Sequence, residues 1–350
     1  MTIDLAIAIA GFLVGLVSIF PARSRRRSGS VGFDSVSIII PARNEERNIG
    51  EAIASIRATL GEGIEVIVAD DRSSDRTSAE AAANGATVIS VDDPPQGWAG
   101  KPHACWKGQQ RASGRILVFM DADVRLGTNA RESLIDAVVH VSQDPTTMVS
   151  MQPWHTPVRF SEHFAMLFNV VSVMASRCRG LWVARRPLAF GPLIVCDAAA
   201  YRALGGHGHE SVRGSIIEDV ALGKLFERGV VKVGSKNSVT FRMYGTGLRG
   251  VFEGFVKNFA TAGLSASAIA VIGVVAWFVF LCSPLVVGAV MYPICVAQLF
   301  LSSRVVGRFT IVDAVIYPVH LVFFAAVLCV SVWRRFILRT VSWKDRSVRI

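Results

Sequence analysis

The sequence predicts an α/β domain, a mostly parallel sheet flanked by helices, carried between an amino-terminal membrane anchor and carboxy-terminal membrane helices. Three observations predict it: strand-like runs alternate with helix-like stretches between positions 36 and 245, uncharged apolar runs lie on both sides of that region, and basic clusters flank those runs. Composition agrees, since 51% of the 350 residues are hydrophobic and 18% charged, which excludes a disordered or wholly soluble chain.

Taking the elements in order, Ile3 to Phe20 is an apolar run of 18 residues with one charge, Asp4, and it is long enough to span a bilayer. Arg23, Arg25, Arg26 and Arg27 follow it, and Phe20-Pro21 stands where a cleavage site needs small residues, so the run reads as an uncleaved anchor. Basic residues stay on the cytoplasmic side, which sets the amino terminus outside and the following domain in the cytosol of a cell (plasma) membrane protein with several spans.

The first strand is Val36 to Ile40, ended by Pro41, and Glu45 to Leu60 has helical spacing through Ile49, Ala52, Ile53 and Ile56. Glu65 to Ala69 is a second strand. Arg76 to Asn84 reads as a helix capped by Asp75 and closed by a left-handed Gly85. Ile116 to Met120 is continuously apolar, as in a strand covered on both faces. His163 to Ser176 is apolar but too short to span, hence a core or interfacial helix, and Val220 to Arg228 reads as an amphipathic helix closed by Gly229.

From Ser265 to Leu301 the chain is uncharged and broken at Pro284 and Pro293, and Phe309 to Trp333 is a further apolar run containing Asp313. These make three spans, or two and a re-entrant piece; three crossings put the basic tail outside against the charge rule, so one segment is expected not to cross. The expected organisation is an anchor at 1–22, the α/β domain at 34–245, an interfacial segment at 246–264, a membrane region at 265–335 and a basic cytosolic tail at 336–350.

The formal charge is +10, and nine of those ten charges sit in Arg23 to Arg27 and in the tail from Arg334 onward, beside apolar runs. A nucleic-acid binder needs its basic residues along a folded face with aromatics among them, so no nucleic-acid partner is expected. The six cysteines have no C-x-x-C spacing and read as small buried hydrophobes in a reducing compartment. No G-x-S-x-G, G-x-G-x-x-G or H-E-x-x-H occurs, which argues against hydrolase, dinucleotide-dependent dehydrogenase and zincin chemistry.

Three acidic clusters fall where parallel strands are expected to end: Asp70-Asp71, Asp121-Ala122-Asp123 and Glu218-Asp219. In open α/β sheets ligands bind at the carboxyl ends of strands, where loops distant in sequence converge. Asp121 and Asp123 can reach a hard cation and, through it, phosphate oxygens, because Mg²⁺ takes one or two carboxylates plus substrate phosphates. Asp70 or Asp71 is either a turn residue or an acceptor for the imide N–H of a uracil ring. Lys101, in Gly97-Trp98-Ala99-Gly100-Lys101, is either a solvated loop lysine or a counter-charge for a diphosphate. Glu218 and Asp219 precede a helix, where the dipole favours the ionised form a general base needs, though capping alone also explains an acid there. His207-Gly208-His209 is a possible metal pair or a mobile polar loop.

The ordered set Val36 to Glu46, Asp70 to Thr77, Asp121-Ala122-Asp123 and Glu218-Asp219 resembles family 2 inverting glycosyltransferases of the GT-A fold, over residues 36 to 245. Gly97 to Pro102, Arg242-Met243-Tyr244 and Trp343-Lys344-Asp345-Arg346 are similar to the membrane-anchored branch that includes carotenoid and hopanoid-associated glycosyltransferases. The resemblance implies donor binding by Pro41, Ala42, Arg43, Glu45, Asp70, Asp71, Lys101, Asp121 and Ala122. It also implies Mg²⁺ or Mn²⁺ on Asp121 and Asp123, Asp219 as the base beside Glu218, and Arg242 and Tyr244 on the acceptor or product side. The partners implied are a nucleotide-sugar donor, such as a UDP-sugar, a lipid acceptor and the membrane. Processive relatives carry Q-x-x-R-W after the base, whereas Arg242 is followed by Met243 and preceded three residues earlier by Val239, which implies transfer of one sugar, a hexosyltransferase step of lipid glycosylation. A polyprenyl-phosphate sugar synthase and a non-catalytic membrane scaffold with a nucleotide-binding fold are the alternatives.

Overall fold

The computed structural model describes residues 3–20, 33, 35–181, 183–338, 340–343 and 346–349; the cluster Arg23 to Arg27 and the pair Lys344-Asp345 lie outside the described residues. The chain divides into an α/β unit, Arg25–Trp154 with Arg185–Phe241, and a helical unit, Met1–Ser24 with His155–Ala184 and Arg242–Ile350. In chain order the amino-terminal helix α1 (Ile3–Ile19) is followed by β1 (Val36–Ala42), α2 (Ile49–Leu60), β2 (Glu65–Asp70), α3 (Thr77–Ala83), β3 (Thr87–Ser90), α4 (Gly100–Arg111), β4 (Ile116–Met120), β5 (Val124–Leu126), α5 (Ala130–Gln143), β6 (Thr147–Gln152) and β7 (Trp154–His155). Next come α6 (Met166–Ser176), β8 (Leu193–Asp197), α7 (Ala198–Ala203), α8 (Glu210–Arg213), α9 (Glu218–Leu225), β9 (Arg228–Val233) and β10 (Val239–Phe241). The chain ends in α10 (Leu248–Ser265), α11 (Ala268–Cys282), α12 (Met291–Val306), α13 (Ile311–Val315), α14 (Tyr317–Trp333) and a hairpin of β11 (Thr340–Trp343) and β12 (Arg346–Arg349).

In the α/β unit seven strands run in the order β3-β2-β1-β4-β8-β6-β9. All pairings are parallel except those of β8, which runs antiparallel to both β4 and β6, so the expectation of a mostly parallel sheet holds. β4 and, apart from Pro41, β1 consist of buried residues that pair at Ile38↔Val118 and Ile39↔Phe119, because aliphatic and aromatic side chains on both pleats are covered by helices. Helix α4 approaches β1 closely: a Cβ on Gly108 would stand 2.5 Å from Ile39 Cγ2, so only glycine admits the contact. The strand order reverses between β1 and β4, the kind of switch point at whose carboxyl ends open α/β sheets bind their ligands.

Three expected boundaries move. The first helix begins at Ile49 rather than Glu45, because Glu45 is held in a turn: its backbone N–H donates to Thr77 Oγ1 at 2.8 Å and Asn44 is left-handed at φ 52°. The helix expected at Arg76 to Asn84 is Thr77–Ala83, with Asp75 accepting from the Thr77 N–H at 3.0 Å and Gly85 at φ 80°, as its residue types predict. The helix expected at Val220 to Arg228 starts two residues earlier and ends at Leu225, since Arg228 to Val233 forms β9 instead. There β-branched Val230, Val231 and Val233 favour a pleated ladder with β6, which outweighs Gly229 as a stop signal.

In the helical unit α1 packs on α11 through a G-x-x-x-G face, where Cβ atoms at Gly11 and Gly15 would collide with Ala276 O at 2.2 Å and Trp277 Cδ1 at 2.5 Å. Gln298 ties the pair, donating to Phe12 O at 2.6 Å and accepting from Trp277 Nε1 at 2.9 Å. Two stretches, Ala268–Leu285 and Tyr317–Ile337, are long and apolar enough to cross a membrane; Ile3–Ile19 and Met291–Val306 are apolar but shorter. Their outward faces are apolar, with Ile272 68% and Val322 71% exposed, unlike the core helix of a soluble protein. All six cysteines are unpaired, four of them buried.

Candidate functional site

Lys101 ties two of the three acidic clusters together. It lies in the first turn of α4, and the loop before that helix is fixed by the Ala99 N–H donating to Arg213 O at 2.7 Å, which brings α4 beside the segment leading into α9. From there its Nζ reaches Asp121 Oδ1 at 2.7 Å and Glu218 Oε1 at 2.9 Å. Asp121 follows β4 directly, and its N–H donates to Pro192 O at 2.9 Å. Asp219 accepts from the backbone N–H groups of Val220 and Gly191, and a Cβ on Gly191 would stand 3.3 Å from both Asp219 Oδ2 and Lys101 Nζ. Residues 101, 121, 191, 218 and 219 therefore meet in one place, with Glu218 and Asp219 opening α9 rather than ending a parallel strand.

The electrostatics are those of crowded, buried carboxylates around the Lys101 ammonium. Burial alone would lower the Lys101 ammonium, but the charges of Asp121 and Glu218 outweigh it and hold the group well above its usual range. Burial, then the Asp121 charge, pushes Asp123 up to about 7, and burial also raises Asp121 despite Lys101. Asp219 is likewise pushed up to about 7, by burial and then by Glu218, so the start of α9 does not by itself keep it ionised. Among the described residues no group of three or more His, Cys, Asp or Glu is placed to hold a metal. Two crowded carboxylates with hard oxygen donors still suit Mg²⁺ or Mn²⁺, provided phosphate oxygens and water complete the shell.

Beside this cluster, Pro41 and Ala42 end β1 opposite Ala69 and Asp70 of β2. Asp70 is consumed by its own turn: Oδ1 accepts from the Ser73 N–H at 3.1 Å and from the Ser73 hydroxyl, while Oδ2 accepts from Ser78. Asp71 is instead clamped by Arg72 Nη2 at 3.0 Å and Arg43 Nη1 at 3.5 Å. Glu45 accepts from Asn48 Nδ2 at 2.8 Å, and its charge is felt by Asp121 and Asp123. Ala122 is buried in the turn between the two acids.

Arg242 and Tyr244 belong to the helical unit. Arg242 is committed to the buried carboxylate of Glu162, at 2.6 Å from Nη2 to Oε1, and Tyr244 stands edge-on to Phe255 with ring centroids 5.2 Å apart. The histidine pair is not a metal site: His207 is buried, hydrogen-bonded to Tyr201 Oη at 2.8 Å, and His209 caps α8. Gly191 and Pro192 were invisible as site residues, since they act through backbone N–H and C=O; the only signal is a turn-forming Gly-Pro pair just before β8.

A family model described as glycosyl transferase family 2 matches residues 37–177, the segment that carries Asp71, Lys101, Asp121 and Asp123. The chain is 32% identical over 356 residues to the 4,4'-diaponeurosporenoate glycosyltransferase of Staphylococcus aureus (strain MRSA252), covering 95% of this chain and 93% of that protein. The enzyme of the same name from Staphylococcus haemolyticus (strain JCSC1435) is 32% identical over 284 residues, covering 77% and 73%. Among solved structures, a mannosyltransferase from Pyrobaculum calidifontis in complex with GDP-Man and Mn²⁺ superposes with a TM-score of 0.51 at 18% identity, covering 96% of this chain and 98% of that one, which supports the GT-A type of fold. Matched to such relatives along nearly its whole length, the chain belongs to glycosyl transferase family 2 and is a glycosyltransferase.

Proposed function

We propose that this glycosyltransferase moves a single sugar, with inversion, from a nucleotide sugar to a membrane lipid of the carotenoid type, with Asp219 as general base. The observation that carries the reading is the meeting of Asp121, Lys101, Glu218 and Gly191-bound Asp219 at the carboxyl end of the sheet. Lys101 and the amino-terminal turn of α4 offer positive charge to a diphosphate, whose leaving charge grows as the anomeric carbon is attacked. Asp121 and Asp123 would hold Mg²⁺ or Mn²⁺; when bound, that ion supplies Lewis-acid stabilisation of the leaving diphosphate. Asp71, steadied by Arg43 and Arg72, is the better placed of the two neighbours to accept from a uracil imide, because Asp70 already accepts from Ser73 and Ser78.

Asp219 takes the acceptor's proton, and an acid held near 7 suits that work, being largely ionised just above neutrality yet basic enough to bind a proton. The acceptor class rests on the name of the relatives and on the two apolar stretches, which support residence in a membrane where a water-insoluble acceptor dissolves. The acceptor in the relatives' name ends in -oate, the suffix of a carboxylate, and this favours a second reading in which the nucleophile is already ionised and Asp219 only positions it. Incubating the purified enzyme with a panel of sugar nucleotides, Mn²⁺ and carotenoid lipids bearing a hydroxyl or a carboxyl group tests both by mass spectrometry. No glycosylated lipid with any donor refutes the function, and an alkali-labile ester as sole product selects the second reading.

A further inference from the structure

We propose that the Lys101 ammonium is the resident cation of the carboxylate cluster in the donor-free enzyme, and that it is exchanged for the divalent metal when a nucleoside diphosphate enters. The inference rests on the donor-site reading above and goes beyond it, because it makes one side chain both the metal's competitor and the diphosphate's ligand.

Nζ of Lys101 stands at hydrogen-bond distance from one oxygen of Asp121 and one of Glu218. Charge-assisted contacts of this length take up lone pairs that a cation on Asp121 also needs. A divalent ion on the same carboxylate meets a positive charge already seated there, so metal alone binds against Lys101. It also lacks ligands, since among the described residues no third carboxylate, histidine or cysteine is placed to complete a shell. A diphosphate removes both obstacles: its oxygens complete the metal's shell, and its negative charge gives Lys101 a new partner. The lysine side chain is a point charge on a flexible stem, and Lys101 retains 24% exposure, so it can swing without unfolding α4.

The test uses the full-length protein in detergent micelles, with Mn²⁺ as probe followed through the paramagnetic signal of the free ion, and UDP as the nucleotide. Lys101→Met is expected to bind Mn²⁺ alone about tenfold more tightly than the wild type, and to bind UDP at saturating Mn²⁺ at least tenfold more weakly. Opposite signs are the signature of exchange. An unchanged or weaker Mn²⁺ affinity in the variant overturns the proposal, as does a parallel loss of both affinities, which marks Lys101 as merely holding the cluster together. Should Lys101→Met not fold, the wild type still decides: UDP must tighten its Mn²⁺ binding more than tenfold over what the Mn²⁺–UDP complex in buffer explains, and no gain overturns the exchange. A wild type that binds no UDP with or without Mn²⁺ refutes the donor site itself, whereas UDP binding with an unraised Mn²⁺ affinity in Lys101→Met refutes only the exchange.

Discussion

Replacing Asp219 by Asn removes the proton acceptor while keeping the shape of the side chain. Its Oδ1 can still accept the N–H groups of Val220 and Gly191, so the start of α9 is expected to hold. The charge lost is one that sits beside Glu218 in a buried place, where repulsion contributes to raising Asp219 to about 7; the variant should therefore melt no lower than the wild type. Donor affinity should change by less than about threefold, because the ion pairs of Lys101 run to Asp121 and Glu218 rather than to residue 219. Turnover is different. Loss of a general base typically costs about 10²- to 10⁴-fold, which is about 3–5 kcal/mol of barrier at 1.36 kcal/mol per tenfold. At saturating Mn²⁺ the wild-type rate should fall about tenfold per pH unit below about 7, as Asp219 takes up a proton and can no longer accept one, and the variant should lack that limb. Both are read from initial rates of sugar transfer to a hydroxylated carotenoid between pH 5.5 and 8.5, a range of roughly 1.5 units on either side of neutrality. A loss below about tenfold, or a variant that keeps the limb, refutes the base assignment.

Four further outcomes are expected. Asp123→Asn should lower transfer by at least about 10²-fold and raise the Mn²⁺ needed for half-maximal rate, since it deletes one of the two carboxylates proposed to hold the ion. Asp71→Ala should weaken uridine and UDP by the same factor, about tenfold for a charge-assisted hydrogen bond of about 1.5 kcal/mol, and leave pyrophosphate untouched, as calorimetry would read. Gly108→Ala should destabilise the α/β unit by about 1–3 kcal/mol, because the added Cβ falls 2.5 Å from Ile39 Cγ2, on a branch that cannot swing away. Arg242→Met should lower the thermal midpoint by stranding Glu162, which is fully buried; the cost is about 2–3 kcal/mol, below that of a wholly buried pair, because Arg242 itself keeps 41% exposure.

The parts of this protein that were legible beforehand are those where chemistry and periodicity coincide. Ile38-Ile39-Ile40 and Ile116 to Met120 are apolar on both pleats, a condition met only by central strands, and they became β1 and β4. β8 was not foreseen as antiparallel, because an apolar run does not encode its direction; only the connection does, and the chain between β6 and β8 passes through α6 of the helical unit. Asp70 and Asp71 were indistinguishable as letters. Consecutive residues at a strand's end point to opposite sides, which sends one into the Ser73 turn and the other to Arg43 and Arg72.

The acidic cluster itself was readable as a set of residue types but not as a charge balance. Lys101 pairs with Asp121 and Glu218, while burial, and then the neighbouring carboxylate charge, drives Asp123 and Asp219 up to about 7. Such crowding does not serve stability, since each raised carboxyl marks an ionised form that the native state disfavours. Under the proposed function, a metal ion arriving on a nucleotide diphosphate would bring cationic charge to these carboxylates at the place where the leaving group needs it.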